Sequence, residues 1–216
     1  MKTPSCWISP VLIAAAAVCL GGCLDLKPVR VGTRYFVLST VPATDASSAK
    51  TSASPPVTVG IGPVKLPPYL LKSFFAVRKN ANEIDYLETA LWAEGVDQGF
   101  LRVLGADLSS RLGTDQIRLS AWQKEDVAME VYVTLEQFDV DTAGQAVLTA
   151  WWRILSPGGE HILKAGQFHA ARQGPHPGVD PQGAAATLSQ MIGDFSGEMA
   201  RTIQSLPAET RRAVDR

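Results

Sequence analysis

Apolar and polar residues alternate most cleanly at Val127, Met129, Val131, Val133 and Leu135, with Ala128, Glu130, Tyr132 and Thr134 between them. A period of two is the signature of a strand with one buried face. The apolar positions then move to Phe138 and Val140, which predicts a bulge. Thr142-Ala143-Gly144 turns the chain into Ala146–Leu155, and Ser156-Pro157-Gly158-Gly159 turns it again into Ile162–Ala171. The three segments predict an antiparallel meander. Shorter strands are predicted at Tyr35–Leu38, Val57–Ile61, Phe74–Arg78, Glu83–Glu88 and Ile117–Trp122, with a hairpin turn at Ala81-Asn82.

Two stretches switch to helical spacing. Trp92–Leu112 places Phe100, Leu101, Leu104, Leu108 and Leu112 on one stripe, and Gly113 is a suitable stop. The second helix carries Leu188, Ile192, Phe195, Met199 and Ile203. Asp180-Pro181 reads as its N-cap and first residue, and Pro207 ends it. Each helix has one apolar face, so packing on one side of a sheet is the economical arrangement. The predicted fold is a single α/β domain of the α+β kind, with a mixed or largely antiparallel sheet and both amphipathic helices on one face. Gly193 and Gly197 form a small-xxx-small pair, read as allowing close helix-to-sheet packing.

The N-terminus follows a different pattern. Lys2 precedes an apolar run from Trp7 to Leu20, and Leu20-Gly21-Gly22-Cys23 follows at once. The run is short for a membrane span and contains a proline, whereas a small-residue exit suits a processed signal. Leu20 to Cys23 resembles a bacterial lipobox, in which the cysteine thiol takes a diacylglyceryl group. The organisation predicted is a signal peptide over 1–22, a lipidated tether over 23–34, the domain over 35–207 and a charged tail over 208–216. In Gram-negative lipoproteins the residue after the lipidated cysteine influences sorting. Leu24 there implies the outer membrane, facing the periplasm. A polar segment at 44–56, ending in two prolines, reads as a loop within the domain.

Composition narrows the function classes. The 216 residues are 46% hydrophobic and 19% charged, a globular composition, and the formal charge of −1 gives no support to nucleic-acid binding. The cysteines are Cys6, Cys19 and Cys23, so the domain has neither a disulfide nor a thiolate metal site. His161 and His169 stand about 26 Å apart along an extended strand, too far to share a metal. No G-x-S-x-G, H-E-x-x-H or phosphate-binding loop occurs, and no nucleophile–base pair stands out. The expectation is a protein without catalytic residues, metal or cofactor.

Three features remain as candidate contact sites. Trp92-Ala93-Glu94 presents a surface or anchors the core at a helix start. Pro63, Pro67, Tyr69 and Leu70 lie on a proline-rich segment that is either an exposed recognition strap or a rigid connector. Phe74-Phe75 and Trp151-Trp152 put large aromatics on both faces of their strands. One face packs on the helices; the other is then exposed unless a subunit, a partner or lipid covers it.

In order and spacing, these segments resemble the PqiC-type auxiliary lipoproteins of ABC transport systems. The resemblance rests on the lipobox, Tyr35-Phe36-Val37-Leu38, Val59-Gly60-Ile61-Gly62-Pro63-Val64-Lys65-Leu66-Pro67-Pro68-Tyr69-Leu70, and Trp92-Ala93-Glu94 with Arg102-Val103-Leu104. Leu91 stands where the family usually has Arg, and Gly95-Val96 where it has Pro-Leu. The resemblance implies an outer-membrane lipoprotein, held by acyl chains on Cys23, that docks a periplasmic MCE-domain protein of a lipid-transport system. Relatives can form rings, which leaves room for a homo-oligomer. Other readings are an assembly or structural lipoprotein of another outer-membrane machine, and a lipid-anchored hydrolase with a dispersed site.

Overall fold

In the computed structural model, residues 32–41 and 57–211 are described. The lipobox, most of the tether and the segment 42–56 lie outside the described residues.

The meander forms as its alternation requires. Strands β6 (Met129–Asp141), β7 (Gln145–Leu155) and β8 (Ile162–Gln173) pair antiparallel along their lengths. The register shifts between Leu135 and Gln137, where the apolar pattern slips by one. The other edge of β6 is shared. β2 (Val59–Ile61) pairs parallel with its first residues and β3 (Phe74–Asn80) parallel with its last. β5 (Ile117–Leu119) lies parallel beyond β2. β4 (Glu83–Trp92) pairs antiparallel with β3, and β1 (Arg34–Phe36) parallel with β4. These eight strands make one mixed sheet, curled into a half-barrel.

The two helices fill the concave face. α1 (Val96–Leu112) stops where Gly113 takes φ 65° and its N–H returns to the Ser109 carbonyl. α2 (Pro181–Ser205) starts at Asp180, whose carboxylate accepts from the Gly183 N–H. Rings from four elements meet between the layers. Phe100 of α1 lies 5.5 Å from Phe138 of β6 and 6.0 Å from Phe195 of α2, which lies 5.3 Å from Phe168 of β8. All four are buried.

Two expectations are corrected. Strand β4 continues to Trp92, and α1 starts at Val96. Thr89-Ala90-Leu91-Trp92 keeps the period of two, burying Ala90 and Trp92, and the Trp92 N–H donates to the Ser73 carbonyl. Helix-favouring residues there yield to sheet pairing. The Gly193–Gly197 pair does not pack closely on the sheet: a Cβ on Gly193 would meet only Asp107 and Val41, both at 3.8 Å, and one on Gly197 would meet the Arg111 and Arg201 guanidiniums.

Candidate interaction face

Residues that point away from the helices form the convex face of the sheet. On β6 these include Glu130, Tyr132, Thr134 and Asp139; on β7 they include Thr149 and Trp151. Among the described residues no α-helix covers this face. Two hydrogen-bonded groups of its polar side chains adjoin β2 and the segment that follows it.

The first group explains two glycines. A Cβ on Gly60 would stand 2.6 Å from the Trp122 ring, and one on Gly62 would press into the Tyr132 ring. Both positions must therefore lack a side chain for these rings to lie on the backbone. Trp122 Nε1 donates to Glu130 Oε1 at 3.2 Å, Tyr132 Oη to Glu130 Oε2 at 3.1 Å, and the Gly158 N–H to Oε1 at 2.8 Å. Glu130 is buried with its oxygens satisfied. It accepts three hydrogen bonds, two on Oε1 and one on Oε2.

The second group fixes the proline-rich segment. From Gly62 to Lys65 the chain runs along β6, with the Lys65 N–H donating to the Val133 carbonyl and its own carbonyl accepting from Leu135. A 3-10 turn, Pro68–Leu71, sends Leu70 into the core. Tyr69 Oη donates to Asp139 at 2.7 Å, and Arg78 reaches the same carboxylate at 2.6 Å. Gln137 donates at 2.9 Å, and Tyr86 Oη holds the Tyr69 carbonyl at 3.1 Å. Burial, reinforced by the Asp139 charge, pushes the Tyr69 hydroxyl well above the ordinary tyrosine range, so it remains a donor. The segment is a latched connector in which Pro63 is exposed and Pro67 half-buried.

The tryptophans divide by face. Trp92 is buried and stacks on Phe75 at 4.9 Å. Glu94 pairs with Arg102, which also donates to the Leu38 carbonyl at 2.8 Å, tying the β4–α1 turn to the chain after β1. Trp152 is buried over Gly166, where a Cβ would stand 2.6 Å from the ring. Among the described residues its indole N–H has no acceptor. Trp151 is 49% exposed, and its indole N–H donates to Glu136 at 2.7 Å. Leu70, Trp92 and Trp152 thus sit in the core, while Pro63 and Trp151 remain at the surface. Cys23 lies outside the described residues.

A second apolar group joins Phe74, one of the candidates, to Tyr35 and Leu91, which were not. Tyr35 of β1 and Phe74 of β3 both stand opposite Leu91 of β4, so the three side chains form a row across the strands on the convex face. Tyr35 is 66% and Phe74 41% exposed. Phe74 also meets Tyr86 edge-on at 6.5 Å. The sequence carries the signal: Tyr35-Phe36-Val37-Leu38 buries every second residue, and Phe74-Phe75 cannot bury both rings in one face.

No metal-holding group of three His, Cys, Asp or Glu occurs among the described residues. Likewise no helix among them is long and apolar enough to cross a membrane. What the convex face presents is exposed rings set in a hydrogen-bonded frame.

The family model of the ABC-type transport auxiliary lipoprotein component matches residues 36–200. The chain belongs to this family. As an auxiliary lipoprotein it is a membrane-anchored protein of the cell envelope, and its family places it with ABC-type transport machinery. The match starts at Phe36, the last residue of β1, and ends in α2, so it takes in strands β2 to β8, the latched connector and Trp92 to Glu94. No curated protein matches this auxiliary lipoprotein in sequence. Among solved structures it is similar to an uncharacterised protein at 20% identity and a TM-score of 0.63, covering 80% of this chain and 99% of that one. It is also similar to a protein of the DUF330 family from Xanthomonas campestris, at 14% identity and a TM-score of 0.58. That likeness covers 78% of this chain and 90% of the other. At such identities the likeness concerns the fold.

Proposed function

We propose that this auxiliary lipoprotein is a non-catalytic outer-membrane subunit of an MCE/ABC-type lipid-transport system. Its role is to dock the periplasmic MCE-domain component at the outer membrane. The observation that carries the reading is the convex face, where Tyr35, Phe74 and Trp151 expose large rings among the described residues. Exposed aromatics on a rigid frame suit a protein contact, because a few such residues supply most of an interface's binding energy. Acyl chains on Cys23 would hold the domain at the membrane, and about 11 residues of tether would reach at most about 40 Å. Tethering raises the local concentration for the second contact without new affinity.

The test is in-cell photocrosslinking from positions 35, 74 and 151, followed by gentle detergent extraction and mass spectrometry. Crosslinks to an MCE-domain protein are expected. Crosslinks only to another outer-membrane complex would move the assembly-factor reading to first place. Crosslinks only to a second copy of this chain would assign the face to self-association.

A further inference from the structure

The concave side of the molecule holds a groove that the docking reading does not use. A cavity of about 570 Å³ lies between the C-terminal turn of α1, the middle of α2 and strand β8. Gly193 and Gly197, one turn apart on α2, leave its floor open. A Cβ on Gly193 would meet only Asp107 and Val41, both at 3.8 Å.

The charges around Gly197 are the decisive feature. A Cβ there would stand 3.3 Å from Arg111 Nη1 and 3.6 Å from Arg201 Nη1. Two guanidinium groups from different helices therefore converge on one point. Among the described residues neither forms an ion pair with a carboxylate; Arg111 Nη2 donates to the Gly193 carbonyl at 3.1 Å. Asp194 on the rim is taken by a third guanidinium, Arg172, at 2.6 Å. Asp107 lies buried beside Arg111 but makes no ion pair with it; burial raises its pKa and the Arg111 charge opposes that rise. Like charges held together in a partly enclosed groove repel unless an anion sits between them. Guanidinium forks match the oxygens of phosphate. Val41, Phe168 and Ala170 give the groove an apolar wall, with Gln190 as a further polar lining residue.

We propose that this groove binds the phosphate group of an amphiphile. The Arg111 and Arg201 guanidiniums take the phosphate oxygens over Gly197, and the Val41–Phe168–Ala170 wall takes the adjoining apolar part. The anion half of this inference stands on the groove alone; the amphiphile half rests on the lipid-transport reading.

Isothermal titration of the full-length chain in dodecyl maltoside tests it with two probes, inorganic phosphate and dihexanoyl phosphatidic acid below its micellar concentration. The short-chain lipid is expected to bind at least about tenfold more tightly than phosphate, the worth of one or two buried methylenes. Arg201→Gln should weaken both probes about tenfold, as for a lost charge-assisted hydrogen bond, and Arg111→Gln should do the same. Arg153→Gln, on the convex side, should change neither. Arg201 makes no described ion pair, so Arg201→Gln carries the test if Arg111→Gln fails to fold. No heat with either probe, or an equal loss in Arg153→Gln, overturns the site. Equal affinity for both probes leaves a free-phosphate site and overturns the amphiphile. Failure here with an MCE partner still crosslinked refutes the groove alone. Binding without such a partner refutes the docking reading alone.

Discussion

Gly62 carries the Tyr132 ring directly on its backbone, and that ring holds Glu130. Gly62→Ala would gain about 0.4–1 kcal/mol from a stiffer unfolded chain. It would also drive a methyl into the Tyr132 ring, which its bond to Glu130 holds in place, at a cost of about 1–3 kcal/mol. The clash wins, so the urea midpoint should fall by the equivalent of about 1–2 kcal/mol; an unchanged midpoint would mean the ring is free to move. Asp107 behaves in the opposite sense. Burial raises its folded pKa above the unfolded value, so the folded state holds the proton more tightly. Its contribution to stability then falls as pH rises from the ordinary carboxylate pKa through the raised one. Asp107→Asn should be more stable than the parent at pH 7 and should lose that pH-dependent decline in urea titrations. A parallel decline in both proteins would assign the dependence to another group.

At the scale of elements, α2 shows how local chemistry sets a boundary. Its 25 residues begin at an aspartate cap followed by proline. Asp180→Ala should cost about 1 kcal/mol and lower the melting temperature by about 2–4 °C. A melting temperature within error of the parent would show the cap to be dispensable. This boundary was legible in the sequence because cap, proline and helical stripe agree. The meander was legible for the same reason, down to the bulge after Leu135. The start of α1 was not. Ala90 to Glu94 favours helix locally, yet Trp92 is drawn into the sheet by its stack on Phe75 and the Ser73 carbonyl, both distant contacts. The same limit applied to the candidate site. Adjacent aromatics signalled that each pair splits between faces, as Trp151-Trp152 does. That Tyr35 and Phe74 would flank Leu91 depends on the register of three strands, which no local pattern specifies. The guanidinium pair over Gly197 likewise joins residues 90 positions apart, one on each helix.

At the scale of the whole molecule, the sheet separates two chemistries. The convex side exposes rings; the concave side holds helices and a cationic groove. A docking role makes the two sides separable by mutation. Tyr35→Lys with Phe74→Lys places two ammonium groups on the exposed row and takes little from the core, because the buried neighbours are Phe36 and Phe75. Thermal melting should move by no more than a few degrees, as for surface changes of about 0.5 kcal/mol each. Partner recovery after crosslinking should fall much further, since one interface aromatic is commonly worth about 2 kcal/mol, roughly 30-fold in affinity. Arg201→Gln should leave that recovery intact. Cys23→Ala separates anchoring from recognition: it should release the protein from membranes and lower recovery through lost local concentration, while added soluble protein still binds the partner. Retention of Cys23→Ala on membranes after a high-salt wash would refute the lipid anchor. Full recovery by the double-lysine variant would refute the convex row as the docking surface, leaving Trp151 as the remaining exposed ring of the face.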